Sequence, residues 1–194
     1  MIVRNFLNSD IEKASQITHT VWGNLYASES ADLQKLIYDF TLEYYYLNKN
    51  FSFALDDDGL CGLIFASSKT DENLVTDEYK NKISSFNEKD RKTALNLFDY
   101  VENTGKEVKK VMNDDDLMMG LFISRKKGGG KILLSKLKES AIDNGIKNIY
   151  LWTDTTCDFD YYQKNNFTLV KEFECIVNNK KINTLIFKKT LSNK

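Results

Sequence analysis

Leu121-Phe122-Ile123-Ser124-Arg125-Lys126-Lys127-Gly128-Gly129-Gly130-Lys131-Ile132-Leu133-Leu134 decides how this 194-residue chain folds. An apolar strand runs into a basic, glycine-rich turn, and the turn opens an amphipathic helix. Adjacent glycines let a backbone pass close to a ligand in conformations other residues resist. The first free N–H groups of the following helix point to the same place, where the helix dipole favours an anion. Arg125, Lys126, Lys127 and Lys131 add mobile positive charge. The stretch has the makings of a phosphate grip.

Spacing separates three designs with this outline. A nucleotide P-loop needs glycine where Arg125 stands and a magnesium-binding hydroxyl where Ile132 stands. A dinucleotide fingerprint needs a third glycine where Leu133 stands. Neither pattern fits. Arg-x-x-Gly-x-Gly does, as Arg125, Gly128 and Gly130. This resembles the pyrophosphate loop of the GNAT superfamily, the acetyl-coenzyme A-dependent N-acetyltransferases.

The next segment extends the resemblance. Ile149 to Thr153 forms a buried strand pattern, and Tyr161-Tyr162-Gln163-Lys164-Asn165-Asn166-Phe167 is similar to the superfamily's Tyr-Glu-Lys-x-Gly-Phe. Asn166 replaces the glycine, and asparagine is the non-glycine residue that best tolerates a left-handed backbone. The likeness is specific over residues 117–170 and diffuse before them. Two departures stand out. Thr155 occupies the place of a cofactor-contacting asparagine, and the loop before Arg125 is a few residues shorter than usual.

Outside these segments the pattern is that of one domain over residues 1–194. A strand opens at Ile2–Phe6, and a helix over 10–22 follows the capping-box pattern Ser9-Asp10-Ile11-Glu12. A second helix carries Leu33, Leu36, Ile37, Phe40 and Tyr44. Runs 51–55 and 60–66 form a hairpin across Asp56-Asp57-Asp58-Gly59. Residues 69–116 form a charged, helical insertion with an amphipathic helix near 88–103. Strand Leu117–Ile123 leads into the loop, and a helix over 131–144 follows it, stopped by Gly145. A hairpin of 168–177 and 182–190 closes the chain. The fold class is α/β (α+β). The resemblance implies a mixed, mostly antiparallel central sheet of about six or seven strands flanked by helices, with parallel, splayed fourth and fifth strands.

Net charge is −1, which points to neither nucleic acid nor membrane as partner. Three scattered cysteines, no long apolar run and no opening signal pattern lead to the expectation of a cytoplasmic enzyme with reduced thiols. The only histidine, His19, and the lack of paired cysteine spacing exclude a zinc site of ordinary type.

The resemblance implies acetyl-CoA as cofactor. Its pantetheine arm would bond to the backbone of Leu121, Phe122, Ile123 and Ser124. Its pyrophosphate would sit over Arg125, Lys126, Lys127, Gly128, Gly129, Gly130 and Lys131, with Thr155 at the asparagine position. Tyr162 matches the acid that protonates the leaving thiolate, with Tyr161 as its neighbour. Asp116, at the head of the fourth strand, is the candidate base. Trp22, Tyr26 and Glu29, with Glu43, Tyr44 and Tyr45 behind them, form the expected acceptor pocket for a small-molecule or peptide amine. Many relatives dimerise, so a homodimer belongs to the same expectation. The alternative is a non-catalytic module of the same kind that binds CoA or acyl-CoA as a sensor. A third reading, a nucleotide-binding regulator, lacks the magnesium hydroxyl.

Overall fold

The computed structural model describes the backbone of residues 1–22, 29–178 and 180–191, and the side chains of the same residues apart from 20–22. Seven strands form one sheet in the order β1-β2-β3-β4-β5-β7-β6. They are β1 (Ile2–Asn5), β2 (Ser52–Asp56), β3 (Leu60–Ser68), β4 (Asp116–Ser124), β5 (Asn148–Asp154), β6 (Thr168–Val177) and β7 (Lys180–Thr190). The helices are α1 (Ile11–Trp22), α2 (Ala31–Tyr45), α3 (Val75–Lys82), α4 (Glu88–Val111), α5 (Gly129–Asp143) and α6 (Asp160–Lys164). Every described strand pair is antiparallel except β4 with β5. The expected mixed sheet is therefore present.

Helices cover both faces. Leu133, Leu134, Leu137 and Ala141 of α5 recur at helical spacing and bury against Leu55, Ile64, Leu117 and Leu151. On the other face, α1, α2 and α4 bury Ile17, Ile37, Phe40 and Phe98 against Ala54, Leu63 and Phe65. Burial of such side chains is worth roughly 1.5–3 kcal/mol each, so these two layers supply most of the drive for folding.

Local chemistry sets several boundaries. The first helix is preceded by a 3-10 turn at Asn8–Asp10. The expected Ser9/Glu12 box is replaced by Asp10, whose carboxylate accepts the Leu7 N–H at 2.9 Å and is held by Arg4. In the β2–β3 turn, Asp58 and Gly59 take positive φ of 55° and 121°, as the Asp-Gly signal requires. α4 starts on the Asn87 cap, whose side chain accepts the Asp90 N–H at 2.9 Å. It runs eight residues beyond the expected end at 103, because Thr104, Gly105 and Val108 continue its buried stripe. Gly145, with φ of 74°, ends the chain's turn after α5 as expected. Among the described residues no helix is long and apolar enough to cross a membrane.

One irregularity matters more than the rest. Along β3–β4 the register shifts, with Phe65 opposite Leu121 and Ala66 opposite Met119, so Gly120 is a bulge. An inserted residue reverses which face later side chains meet. Leu117 and Met119 pack on the α5 side, whereas Leu121 and Ile123 pack on the α2 side. The ring of Tyr45 lies where a side chain at position 120 would be, and an added methyl would overlap it. Replacing Gly120 with alanine should therefore cost about 1–3 kcal/mol of stability through overpacking. Urea titration checks this, and an unchanged midpoint would refute the wedge between Tyr45 and the bulge.

Candidate active site

The parallel pairing of β4 and β5 is short. It runs from Asp116↔Asn148 to Met119↔Leu151 and then stops. Each strand keeps its outer partner well beyond that point. β4 pairs with β3 as far as Ser124↔Gly62, and β5 pairs with β7 as far as Asp154↔Thr184. The two strands therefore splay after the Gly120 bulge, leaving facing backbone edges that share no ladder. A cavity of about 680 Å³ occupies the opening.

The glycine-rich turn closes one end of it. Arg125 N–H donates to Cys61 O at 2.9 Å, which carries the ladder one residue past β4. Gly128 then takes a φ of 81° as the N-cap of α5. A side chain at Gly129 would come within 2.6 Å of Leu55 Cδ2, so the turn lies hard against the sheet. Gly129 and Ile132 donate to Lys126 O and Gly128 O. Among the described residues none accepts from the N–H groups of Gly128, Gly130 or Lys131, which stand free at the start of a helix. Lys126 is tied to Asp57 at 2.7 Å, and its ammonium holds that carboxyl below the usual range. Arg125, Lys127 and Lys131 are exposed.

Of the expected cofactor residues, Leu121, Phe122, Ile123, Ser124, Lys126, Gly128, Gly130 and Lys131 line the cavity. Arg125, Lys127 and Gly129 belong to the same turn but not to its inner wall. Thr155 is a correction. It is exposed and donates its N–H to Asn183 O at 3.1 Å, while Thr156, Cys157 and Asp158 face the cavity instead. The turn after β5 is wound around Asp154, whose Oδ1 accepts the Thr156 N–H at 2.8 Å.

Both tyrosines of the second segment border the cavity. Tyr161 leans on Phe122 with ring centroids 5.8 Å apart, and its hydroxyl is buried beside Gly130 with no partner among the described residues. Tyr162 packs between Phe167 and Phe187 at 5.8 and 5.9 Å. Burial pushes its hydroxyl pKa up, with smaller contributions from Cys157, Tyr161 and Asp158, so it stays protonated. Its position is locked from behind. Phe167 N–H donates to Tyr162 O and Asn166 N–H to Gln163 O, with Asn166 at φ of 61°. That is a Schellman ending with asparagine in the left-handed place.

The structure does not bring Asp116 to this cavity. It is fully buried at the paired end of β4, about 13 Å of strand before Gly120. Both oxygens are in use, accepting from Asn148 Nδ2 at 2.6 Å and from the Asn113 N–H at 2.8 Å. Its role is to close the turn that starts the strand. Asp115 pairs with Lys147, and Asp114 with Lys69. Glu29 also stands elsewhere. It pairs with Lys89 at 3.2 Å, beside the Ser30–Asp90 bond that joins the starts of α2 and α4. The Trp22 side chain and Tyr26 lie outside the described residues. Tyr45 does line the cavity, whereas Glu43 and Tyr44 do not.

Sequence reasoning missed the rest of the inner wall. Ile37, Tyr38 and Thr41 of α2, Leu97, Tyr100 and Val101 of α4, and Trp152 and Asp154 of β5 complete it. The available signal was alternation along β5, which puts Trp152 and Asp154 on one face.

No family model matches the chain, and no curated protein does. Solved structures do match. The ribosomal-protein-S18-alanine N-acetyltransferase of Escherichia coli aligns over 100% of this chain and 95% of its own, with 11% identity and a TM-score of 0.54. Ard1 from Thermoplasma volcanium aligns over 99% and 98%, with 14% identity and a TM-score of 0.56. The Salmonella typhimurium protein yncA, solved with its cofactor acetyl-CoA, aligns over 100% and 95%, with 12% identity and a TM-score of 0.53. At such identities the likeness establishes the fold. This chain carries the GNAT fold, that of the GCN5-related N-acetyltransferases.

Cys157 borders the cavity but is not poised as a nucleophile. The residue is exposed at the surface, but desolvation of the thiol against the cavity wall, then the Asp154 carboxylate, push its pKa up. A raised pKa means less thiolate at neutral pH, so alkylation by iodoacetamide should be slower than for a free thiol. The rate should still be climbing above pH ~8.5, the ordinary thiol value. Mass-spectrometric mapping of the Cys157 peptide over pH checks this, and a plateau below that pH would contradict it.

Proposed function

We propose that this protein is an N-acetyltransferase that moves an acetyl group from acetyl-CoA to a primary amine of a small molecule or peptide, by direct attack in a ternary complex. One observation carries the reading. The β4–β5 opening leads straight onto the free N–H groups of Gly128, Gly130 and Lys131, with two tyrosine hydroxyls along the way. Among the similar structures are the ribosomal-protein-S18-alanine N-acetyltransferase of Escherichia coli and yncA with its cofactor acetyl-CoA. Both agree with the reading.

The residues present fit the cofactor. The backbone edge of Leu121 to Ser124 faces a cavity, and its polar groups would bond an extended amide-bearing arm as a further strand does. The helix start and the exposed Lys127, Lys131 and Arg125 suit a pyrophosphate. When bound, acetyl-CoA supplies the acetyl thioester. Backbone N–H groups beyond Gly120 are suited to steady the thioester oxygen as it gains charge. Tyr162, kept neutral by burial, holds a proton at Oη for the departing sulfur. The nitrogen forms its bond to the acetyl carbon as the carbon–sulfur bond breaks. The ammonium first gives one proton to solvent, since only the neutral amine can attack. The second proton, shed as the amide forms, returns by way of solvent to Tyr162 in place of the one given to sulfur.

Calorimetry with acetyl-CoA should give a micromolar dissociation constant. Removing charge with Arg125→Ala and Lys131→Ala together should weaken it about ten-fold or more. Failure of the folded protein to bind acetyl-CoA would overturn the reading.

Tyr162→Phe should lower turnover by ~10²-fold while sparing acetyl-CoA binding, and Tyr161→Phe should cost less. Equal effects, or none, would remove Tyr162 from its assigned role. Cofactor binding without turnover on any amine would leave a CoA-binding module.

A further inference from the structure

The cavity has two ends of opposite character. At the α5 end the lining charges are Lys126 and Lys131, and a further lining carboxylate, Asp158, is solvent-exposed on the turn before α6. At the α2–α4 end the wall is apolar and aromatic, and it contains one buried carboxylate, Asp154, only 9% exposed. That carboxylate is incompletely served. Oδ1 accepts from both the N–H, at 2.8 Å, and the hydroxyl, at 2.5 Å, of Thr156, whereas Oδ2 receives only the Tyr100 hydroxyl at 3.4 Å. Tyr100 is itself engaged with Thr184 Oγ1 at 2.9 Å. Among the described residues no lysine or arginine lies within ion-pair distance of Asp154. A buried carboxylate without a cation is costly, and a cavity beside it is where a ligand cation would relieve the cost.

The surroundings point the same way. Trp152 and Tyr100 meet edge to face, with centroids 5.3 Å apart at 77°, forming an aromatic corner next to Asp154. Tyr45, 5% exposed, completes the wall. Its hydroxyl and the Trp152 indole N–H stand near each other, both buried and neither in full hydrogen-bonding geometry with another group among the described residues. Aromatic faces around a carboxylate suit an ammonium group. Ile37, Leu97 and Val101 beside them are apolar, and the hydroxyl of Thr41 on the same wall is turned back onto Ile37 O at 2.8 Å.

The geometry points to Asp154 as the anchor for the acceptor's ammonium group, and to the acceptor as a small primary amine carried on a single apolar or aromatic body. The inference rests on the acetyltransferase reading for the amine's being acetylated; the binding itself does not. An alkylamine is mostly charged at neutral pH, so it arrives in the form Asp154 attracts. α4 contributes Leu97, Tyr100 and Val101, so the segment between β3 and β4 sets which amine fits.

The test is calorimetry on the protein without acetyl-CoA, with 2-phenylethylamine, its uncharged counterpart 2-phenylethanol, and spermidine as probes. The folded wild type should bind 2-phenylethylamine at least ~10-fold more tightly than either other probe. Asp154→Asn should abolish that preference. Thr41→Lys, a change on the half-buried helical wall away from the Asp154 turn, should abolish it too by placing a like charge in the pocket. Acetyl-CoA affinity, measured separately, should stay within about two-fold in both variants. Equal binding of amine and alcohol, a preference for spermidine, or an amine preference that survives Asp154→Asn would overturn the assignment. Failure of acetyl-CoA binding with amine preference intact would overturn only the acetyltransferase reading.

Discussion

The ring of Tyr45 against the backbone of Gly120 is the contact on which the site's geometry turns. The extra residue at the bulge reverses the faces of β4, and the parallel ladder ends one residue earlier, at Met119↔Leu151. Held outward by β3 and β7, the two strands keep their remaining inner edges unpaired. Unpaired backbone groups inside a protein demand a partner. A ligand that presents amides in extended form is the natural one. The bulge thus converts a continuous sheet into a slot without loosening either strand.

Charge is arranged along that slot. The helix start and the exposed cations of the turn make one end attractive to an anion, and Lys126 is partly withdrawn from this role by its bond to Asp57. Asp154 makes the other end attractive to a cation. Under the proposed function, a phosphate-bearing donor and an ammonium-bearing acceptor would be drawn to different parts of the slot. The α2 and α4 helices close the acceptor end, and the junction of Ser30, Asp90, Glu29 and Lys89 joins the two helices at their starts. Changes at Glu29 would therefore act on that wall through packing rather than by contact with a substrate.

Much of this was legible in sequence because its causes are local. The turn Ser124 to Lys131 is contiguous, so its glycines, cations and flanking elements declare one another. Asn166 showed its left-handed place through residue type alone, and the Schellman bonds around it involve neighbours a few residues apart. Gly120 carries both a bulge and the close approach of Tyr45 within one apolar run. α4 ran past its expected end because Gly105, a poor helix former, is kept helical by tertiary packing beside Tyr44.

Other features answered to contacts that no local pattern encodes. Asp116 sits at the head of the right strand, yet Asn148, 32 residues away, takes its oxygen and fixes it as a structural group. Thr155 stands at the matching position in sequence, but the turn wound on Asp154 faces it outward. Tyr45, Tyr100, Trp152 and Asp154 become a pocket only when α2, α4 and β5 are packed together. The sequence by itself determined most of the elements and the basic, glycine-rich turn, since each depends on residues within one or two turns of one another, and the mixed sheet followed from the family resemblance. The tertiary structure alone decided where β4 and β5 part and which buried carboxylate faces the cavity. Those outcomes depend on side chains far apart in the chain competing for the same buried space.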